Sequence, residues 1–241
     1  MNLTRPAILT VTILTALAPA QEPEAASALL AKSKSAYREM RSDGYTMHAE
    51  VWRRVSRGEQ WHESRGEYRL SQRDNAMALD FGSVAQRVQF LRRADGTFVE
   101  YSAGRRKYAE YLQDDERPSA ALTELERMRV LLYQRLADLA DSRPITMAQK
   151  REGIKTKDGA RRCLKVSIKG DAWSAVLWIE ENTGLVWRSE MTARRNGEFT
   201  DERVTWTEIT TRADAVNAAL TWSPPPGSVR VPALDLLPPI R

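Results

Sequence analysis

Apolar and polar positions change rhythm several times along this chain of 241 residues, and each change marks a new element. Ala7–Leu17 is apolar or Thr throughout, with no charge. Glu22–Arg41 then repeats at helical spacing, with Ala26, Leu29, Leu30, Ser33, Ala36, Tyr37 and Met40 on one narrow side. Asp43-Gly44 ends that helix, and the period shortens to two. Tyr45, Met47, Ala49, Val51, Arg53 and Val55 mark a strand with one largely apolar face. Arg57-Gly58 turns into a second strand that runs to about Gln72, and Asn75–Phe81 carries Met77, Leu79 and Phe81 on one side. Arg87–Arg93 and Thr97–Tyr101 flank Ala94-Asp95-Gly96, where Asp-Gly favours the primed turns that match strand twist. Ala103-Gly104 then allows a turn into Arg105–Leu112.

Pro118–Ala140 interrupts this meander. Leu122, Leu125, Met128, Leu132, Leu136 and Leu139 recur at three- and four-residue steps, the spacing of one helix face. Asp114, Asp115 and Glu116 precede it, where negative charge suits the positive end of the helix dipole. Strands then resume over Ile145–Ile154, Arg161–Ile168, Trp173–Glu180, Leu185–Arg194 and Glu198–Thr210. Lys157-Asp158-Gly159, Glu181–Gly184 and Arg195-Asn196-Gly197 mark turns between them. In Leu185–Arg194, strict alternation puts Trp187, Ser189 and Met191 on one face and Val186, Arg188 and Glu190 on the other. A short helical turn near Ala213–Ala219 precedes Pro224-Pro225-Pro226-Gly227.

The expectation is a mainly β fold with helices (α+β). About eleven strands joined by tight turns form a single large curved antiparallel sheet, which must curl or close to limit its edges. Two long helices are available to cover its concave face. The amphipathic helix Pro118–Ala140 is either permanent core or a removable lid over that face.

The apolar run Ala7–Leu17 follows Arg5, and Ala18-Pro19-Ala20 is a small-x-small cleavage signal, so residues 1–20 are expected to be a cleaved secretory signal. Gln21, not Cys, follows the cut, so the mature chain is expected to be soluble and not lipid-anchored. Residues 21–241 show no Gly/Ser-rich linker and no repeat, and are expected to form one domain. The formal charge of +5 is spread among nearly as many acids. Nucleic-acid binding would need a concentrated basic stripe, and none is evident.

The chemistry-bearing residues are few. His48 and His62 are the only histidines. With Arg57-Gly58 as the central turn residues, His48 faces Glu67 and His62 faces Arg53, so the imidazoles do not meet. No metal site is expected, and no HExxH, CxxC, GxSxG or P-loop pattern occurs. Glu180-Glu181 reads as a turn feature. Cys163, the single cysteine, reads as a small buried hydrophobe. The chain is therefore expected not to be an enzyme and to need no cofactor. The seven Trp residues, with Met47, Met77, Met128 and Met191, serve as packing or as the lining of an acyl-chain cavity.

Several local sequences in order resemble the periplasmic outer-membrane lipoprotein carriers, the LolA-like fold shared with an outer-membrane lipoprotein receptor and an envelope-stress regulator. They are Tyr45-Thr46-Met47-His48-Ala49, Gly66-Glu67-Tyr68-Arg69-Leu70, Asp95-Gly96-Thr97-Phe98-Val99-Glu100-Tyr101, Thr183-Gly184-Leu185-Val186 and Leu220–Gly227. The resemblance covers nearly the whole mature chain. It implies an open β-barrel whose apolar concave face is capped by the N-terminal and inserted helices. It also implies lipoprotein acyl chains or another lipid as ligand, an inner-membrane donor complex, an outer-membrane acceptor, and a monomer in the periplasm. The implied lipid-binding positions are Tyr45, Met47, Val51, Met77, Leu79, Phe81 and Phe90 in the first half of the chain. Leu177, Trp187, Met191 and Trp222 supply the second half, and Leu125, Met128 and Leu132 the lid. Arg73 aligns best with the carriers' functional arginine, which precedes a proline; here Asp74 follows. Arg73 is thus either a lid latch or an exposed turn residue. An envelope sensor or protein-binding module with a self-filled core is the alternative.

Overall fold

The computed structural model describes residues 21–58, 60–82, 87–112, 144–195 and 197–234. The leader at 1–20 and the helix expected at Pro118–Ala140 lie outside the described residues. Helix α1 spans Gln21–Asp43. Six strands follow: β1 Tyr45–Arg57, β2 Gln60–Arg73, β3 Ala76–Gly82, β4 Val88–Arg92, β5 Phe98–Ser102 and β6 Lys107–Tyr111. Five more form the second half: β7 Ile145–Thr156, β8 Gly159–Lys169, β9 Trp173–Glu180, β10 Val186–Arg195 and β11 Glu198–Thr210. Helix α2 (Ala213–Leu220) and the two-residue strand β12 (Val229–Arg230) complete the order.

All strands belong to one sheet, in the order β12-β6-β5-β4-β3-β2-β1-β11-β10-β9-β8-β7. Each half is a meander of neighbouring strands, and the β1–β11 ladder joins them antiparallel, with Val51 opposite Val204 and Arg53 opposite Glu202. The sheet is open, as the resemblance implied. It is mixed at one edge, because β12 pairs parallel with β6. A two-residue strand after a Pro-rich segment leaves no period to read.

Alternation decides which side is dry. Met47, Ala49 and Val51 on β1, Leu70 on β2, Met77, Leu79 and Phe81 on β3, and Val204 and Trp206 on β11 are buried in one apolar cluster. Leu177 and Ile179 on β9 and Val166 and Ile168 on β8 extend it across the second half. Burying one such Leu or Ile side chain is worth about 1.5–3 kcal/mol. Ala26, Leu29, Leu30, Ser33 and Tyr37 are the buried side of α1, which lies against β7 and β2. Tyr37 meets Tyr45 edge-on with ring centroids 6.5 Å apart, tying helix to sheet. The turn from α1 to β1 depends on Gly44, whose φ is +87° and whose N–H donates to the Met40 carbonyl at 2.8 Å.

Two details differ from the sequence reading. Arg57 pairs with Gln60, so the β1–β2 turn sits one residue later and the register slides by two: His48 faces Arg69, and His62 faces Val55. Gly58 takes the left-handed conformation this turn needs (φ +60°). In β10 a bulge between Val186 and Arg188 breaks the expected alternation. Val186 and Trp187, consecutive and both buried, sit at this bulge.

Candidate functional site

The dry side gathers most of the positions assigned to lipid. Tyr45, Met47, Val51, Met77, Leu79, Phe81, Phe90, Leu177 and Trp187 belong to the one buried cluster, together with Leu29, Leu30 and Tyr37 of α1. Met191 is partly exposed and packs against that cluster. Trp222 is elsewhere, its ring 5.6 Å from that of Tyr101. Leu125, Met128 and Leu132 lie outside the described residues. Among the described cluster members exposure runs from 0% to 8%, so little of this layer reaches solvent.

Arg73 ends β2 and is half-buried. Its guanidinium donates to Asn217 Oδ1 at 2.9 Å, so the helix it holds is α2. A Cβ on Gly44 would stand only 2.8 Å from Arg73 Nε and 2.9 Å from Val216 Cγ1. Arg73, Gly44 and Val216 thus form one tight junction between β1, β2 and α2.

The other face of the same strands is polar and holds a wide cleft of about 1270 Å³. His48, Glu50 and Trp52 of β1 alternate with the buried Met47, Ala49 and Val51. Arg65, Glu67 and Arg69 come from β2, Asp80 from β3, Arg188 from β10, and Arg203, Thr205 and Thr207 from β11. The tip of the β7–β8 hairpin overhangs them with Lys155 and Lys157. That tip is pinned, because the Lys157 N–H donates to the Thr207 carbonyl at 2.8 Å and its Nζ to Glu208 at 3.0 Å. Of the lipid-assigned positions that are described, Val51 alone also borders this cleft.

Charges in the cleft are partly matched. Arg87 grips Asp80 through two guanidinium nitrogens, and Arg203 donates to Glu190 at 2.7 Å. Arg69 donates to Nε2 of His48, a bond that needs an unprotonated imidazole nitrogen. Burial and then the Arg69 charge push the His48 pKa below its usual 6.5, against the opposing pull of Glu208. At the rim, Arg54 lies 4.4 Å from the Trp61 ring centroid and 5.7 Å from that of Trp52, and Arg203 lies 5.9 Å from Trp52. The alternation that builds this face is present in the sequence. What local reading lacked was that β1 and β11 are neighbours, which brings arginines about 130 residues apart in the chain to one surface.

No family model matches the chain, and no curated protein matches it. Solved structures do. A DUF1329 family protein from Desulfovibrio piger aligns over 83% of this chain and 97% of that one, at 11% identity and a TM-score of 0.34. A LolA superfamily protein from Nitrosomonas europaea aligns over 78% and 93%, at 12% identity and a TM-score of 0.31. MucB aligns over 79% of this chain and 60% of its own, at 15% identity and a TM-score of 0.39. The LolA-like group that the sequence resembles is among these neighbours.

The remaining reactive groups are quiet. Cys163 is buried, and burial followed by the nearby Glu180 charge pushes its thiol up to about 12. Glu180 is engaged by Thr183 Oγ1 at 2.7 Å and Trp187 Nε1 at 3.2 Å, and Glu181 by Arg151 at 2.7 Å. Among the described residues no group of three or more His, Cys, Asp or Glu could hold a metal ion. Nor is any described helix long and apolar enough to cross a membrane.

Proposed function

We propose that the protein is a non-enzymatic carrier of the bacterial envelope, exported to the periplasm. In this reading it holds a lipoprotein acyl chain or another lipid between its sheet and helices, in transit from an inner-membrane donor to an outer-membrane acceptor. The observation that supports it is the continuous apolar face to which β1, β3, β4, β9 and β10 contribute beneath a single-sided helix. Each methylene moved from water to such a surface is worth about 0.8 kcal/mol. Leu29, Leu30 and Tyr37 of α1 occupy that face in the closed state, so a ligand has to displace them.

Polar ties at the surface oppose that displacement. Lys32 Nζ donates to the Glu181 carbonyl at 2.8 Å, and Arg41 Nε to the Asp74 carbonyl at 3.0 Å, both at the surface. Titration with a fluorescent fatty-acid probe is expected to saturate in the micromolar range. The Lys32→Ala/Arg41→Ala double variant, with α1 loosened, is expected to bind several-fold tighter.

A silent titration for both proteins would reject the carrier reading. It would favour an envelope sensor or protein-binding module. The specific support for that second reading is the near-complete burial of Met47, Met77, Leu79 and Phe90, which already satisfy one another.

A further inference from the structure

We propose that the polar cleft on the opposite face of the sheet is a docking site for an extended, acidic polypeptide segment. Three cations there have no ion-pair partner among the described residues. Arg69 spends its hydrogen bond on a neutral imidazole. Arg188 lies 5.6 Å from the Trp178 ring centroid, and its buried Nε makes no hydrogen bond. Lys155 is exposed on the overhanging hairpin tip. They come from β2, β10 and β7, so they surround the cleft instead of clustering at one point.

Size and charge pattern select the occupant. At about 1270 Å³ the cleft is larger than the roughly 300–1,000 Å³ of small-molecule pockets. It crosses five adjacent strands, β3 to β10 in sheet order, which is about 19 Å at ~4.8 Å per step. That matches about six residues of extended peptide at ~3.3 Å each. Glu50 and Glu67 face each other across the β1–β2 ladder at the cleft's centre. Like charges opposed in this way are unfavourable and would repel a uniform polyanion. A peptide can place separate carboxylates on Arg69, Arg188 and Lys155 and leave a neutral or basic group over Glu50 and Glu67.

The site is on the face away from the acyl-chain layer, so it stands or falls independently of the carrier reading. The test is fluorescence anisotropy with a fluorescein-labelled decapeptide of alternating Glu and Ser, against a Lys–Ser counterpart. The protein is expected to bind the Glu–Ser peptide, and more weakly as salt rises. Lys155→Glu and, separately, Arg69→Gln are expected to weaken binding about tenfold. Lys107→Glu, an exposed charge change on β6, is expected to leave it unchanged. Equal affinity for the Lys–Ser peptide would overturn the proposal, and so would equal loss in the Lys107→Glu control. Tighter binding of inorganic polyphosphate than of the Glu–Ser peptide would overturn it as well.

Discussion

Single residues in this protein behave according to the side of the sheet they occupy. Cys163 is on a strand, fully buried, with its thiol held near 12. At pH 8 its thiolate fraction is roughly a thousandfold below that of an unperturbed thiol. Iodoacetamide should therefore leave the native protein unlabelled on a timescale that labels it fully in urea, as read by mass spectrometry. Reading Cys163 as a small hydrophobe needed only its being a single cysteine within the strand pattern Arg161–Ile168, so this residue was legible in the sequence. His48 was not. Its environment is set by Arg69 and Glu208, and the expected turn placed Glu67 opposite it in place of Arg69. Because the folded-state pKa is lowered, the unfolded chain binds more protons below pH 6.5. Stability from this group is complete above 6.5 and is lost as pH falls through the folded-state value. Urea midpoints at pH 7.5 and 5.5 should show a smaller acid loss in His48→Gln than in the parent.

Elements were legible wherever a turn residue has one possible position. Asp95-Gly96 and Glu181–Gly184 fix their hairpins, and α1 stops at Gly44 because only a residue tolerant of φ +87° closes the helix there. Gly44→Ala adds strain at that φ and drives a Cβ against Arg73 Nε and Val216 Cγ1. It should cost about 1–3 kcal/mol in denaturant unfolding, more than Gly153→Ala, whose Cβ would meet open space. Where two placements were chemically equivalent, the sequence could not choose. Gly58 serves either turn register between β1 and β2. Val186-Trp187 is apolar at both positions, which hides the bulge between Val186 and Arg188. Leu177→Ala, in the middle of β9, should cost about 2–5 kcal/mol because its neighbours are too constrained to refill the void.

At the scale of the molecule, one sheet presents two surfaces of different character. The apolar side could be anticipated residue by residue, since period-two alternation names it strand by strand. The polar side could not, because its character is a property of strand order. Arg188 and Arg203 read as scattered surface charges until β10, β11, β1 and β2 are laid side by side. Removing α1 separates the two. An N-terminal deletion through Asp43 should raise binding of a hydrophobic dye while leaving Glu–Ser peptide affinity at the cleft unchanged.

The ladder that joins the two meanders also dictates an order of events as the chain is made. β1 is among the first strands to emerge and β11 nearly the last, yet each is the other's neighbour. Until β11 arrives, β1 offers an unpaired edge from Thr46 to Val55, beside Met47 and Val51. Such an edge recruits other chains, and long-range pairing of this kind forms slowly. A nascent or truncated chain that ends before Glu198 is therefore an aggregation hazard at this edge, which pairing with β11 removes.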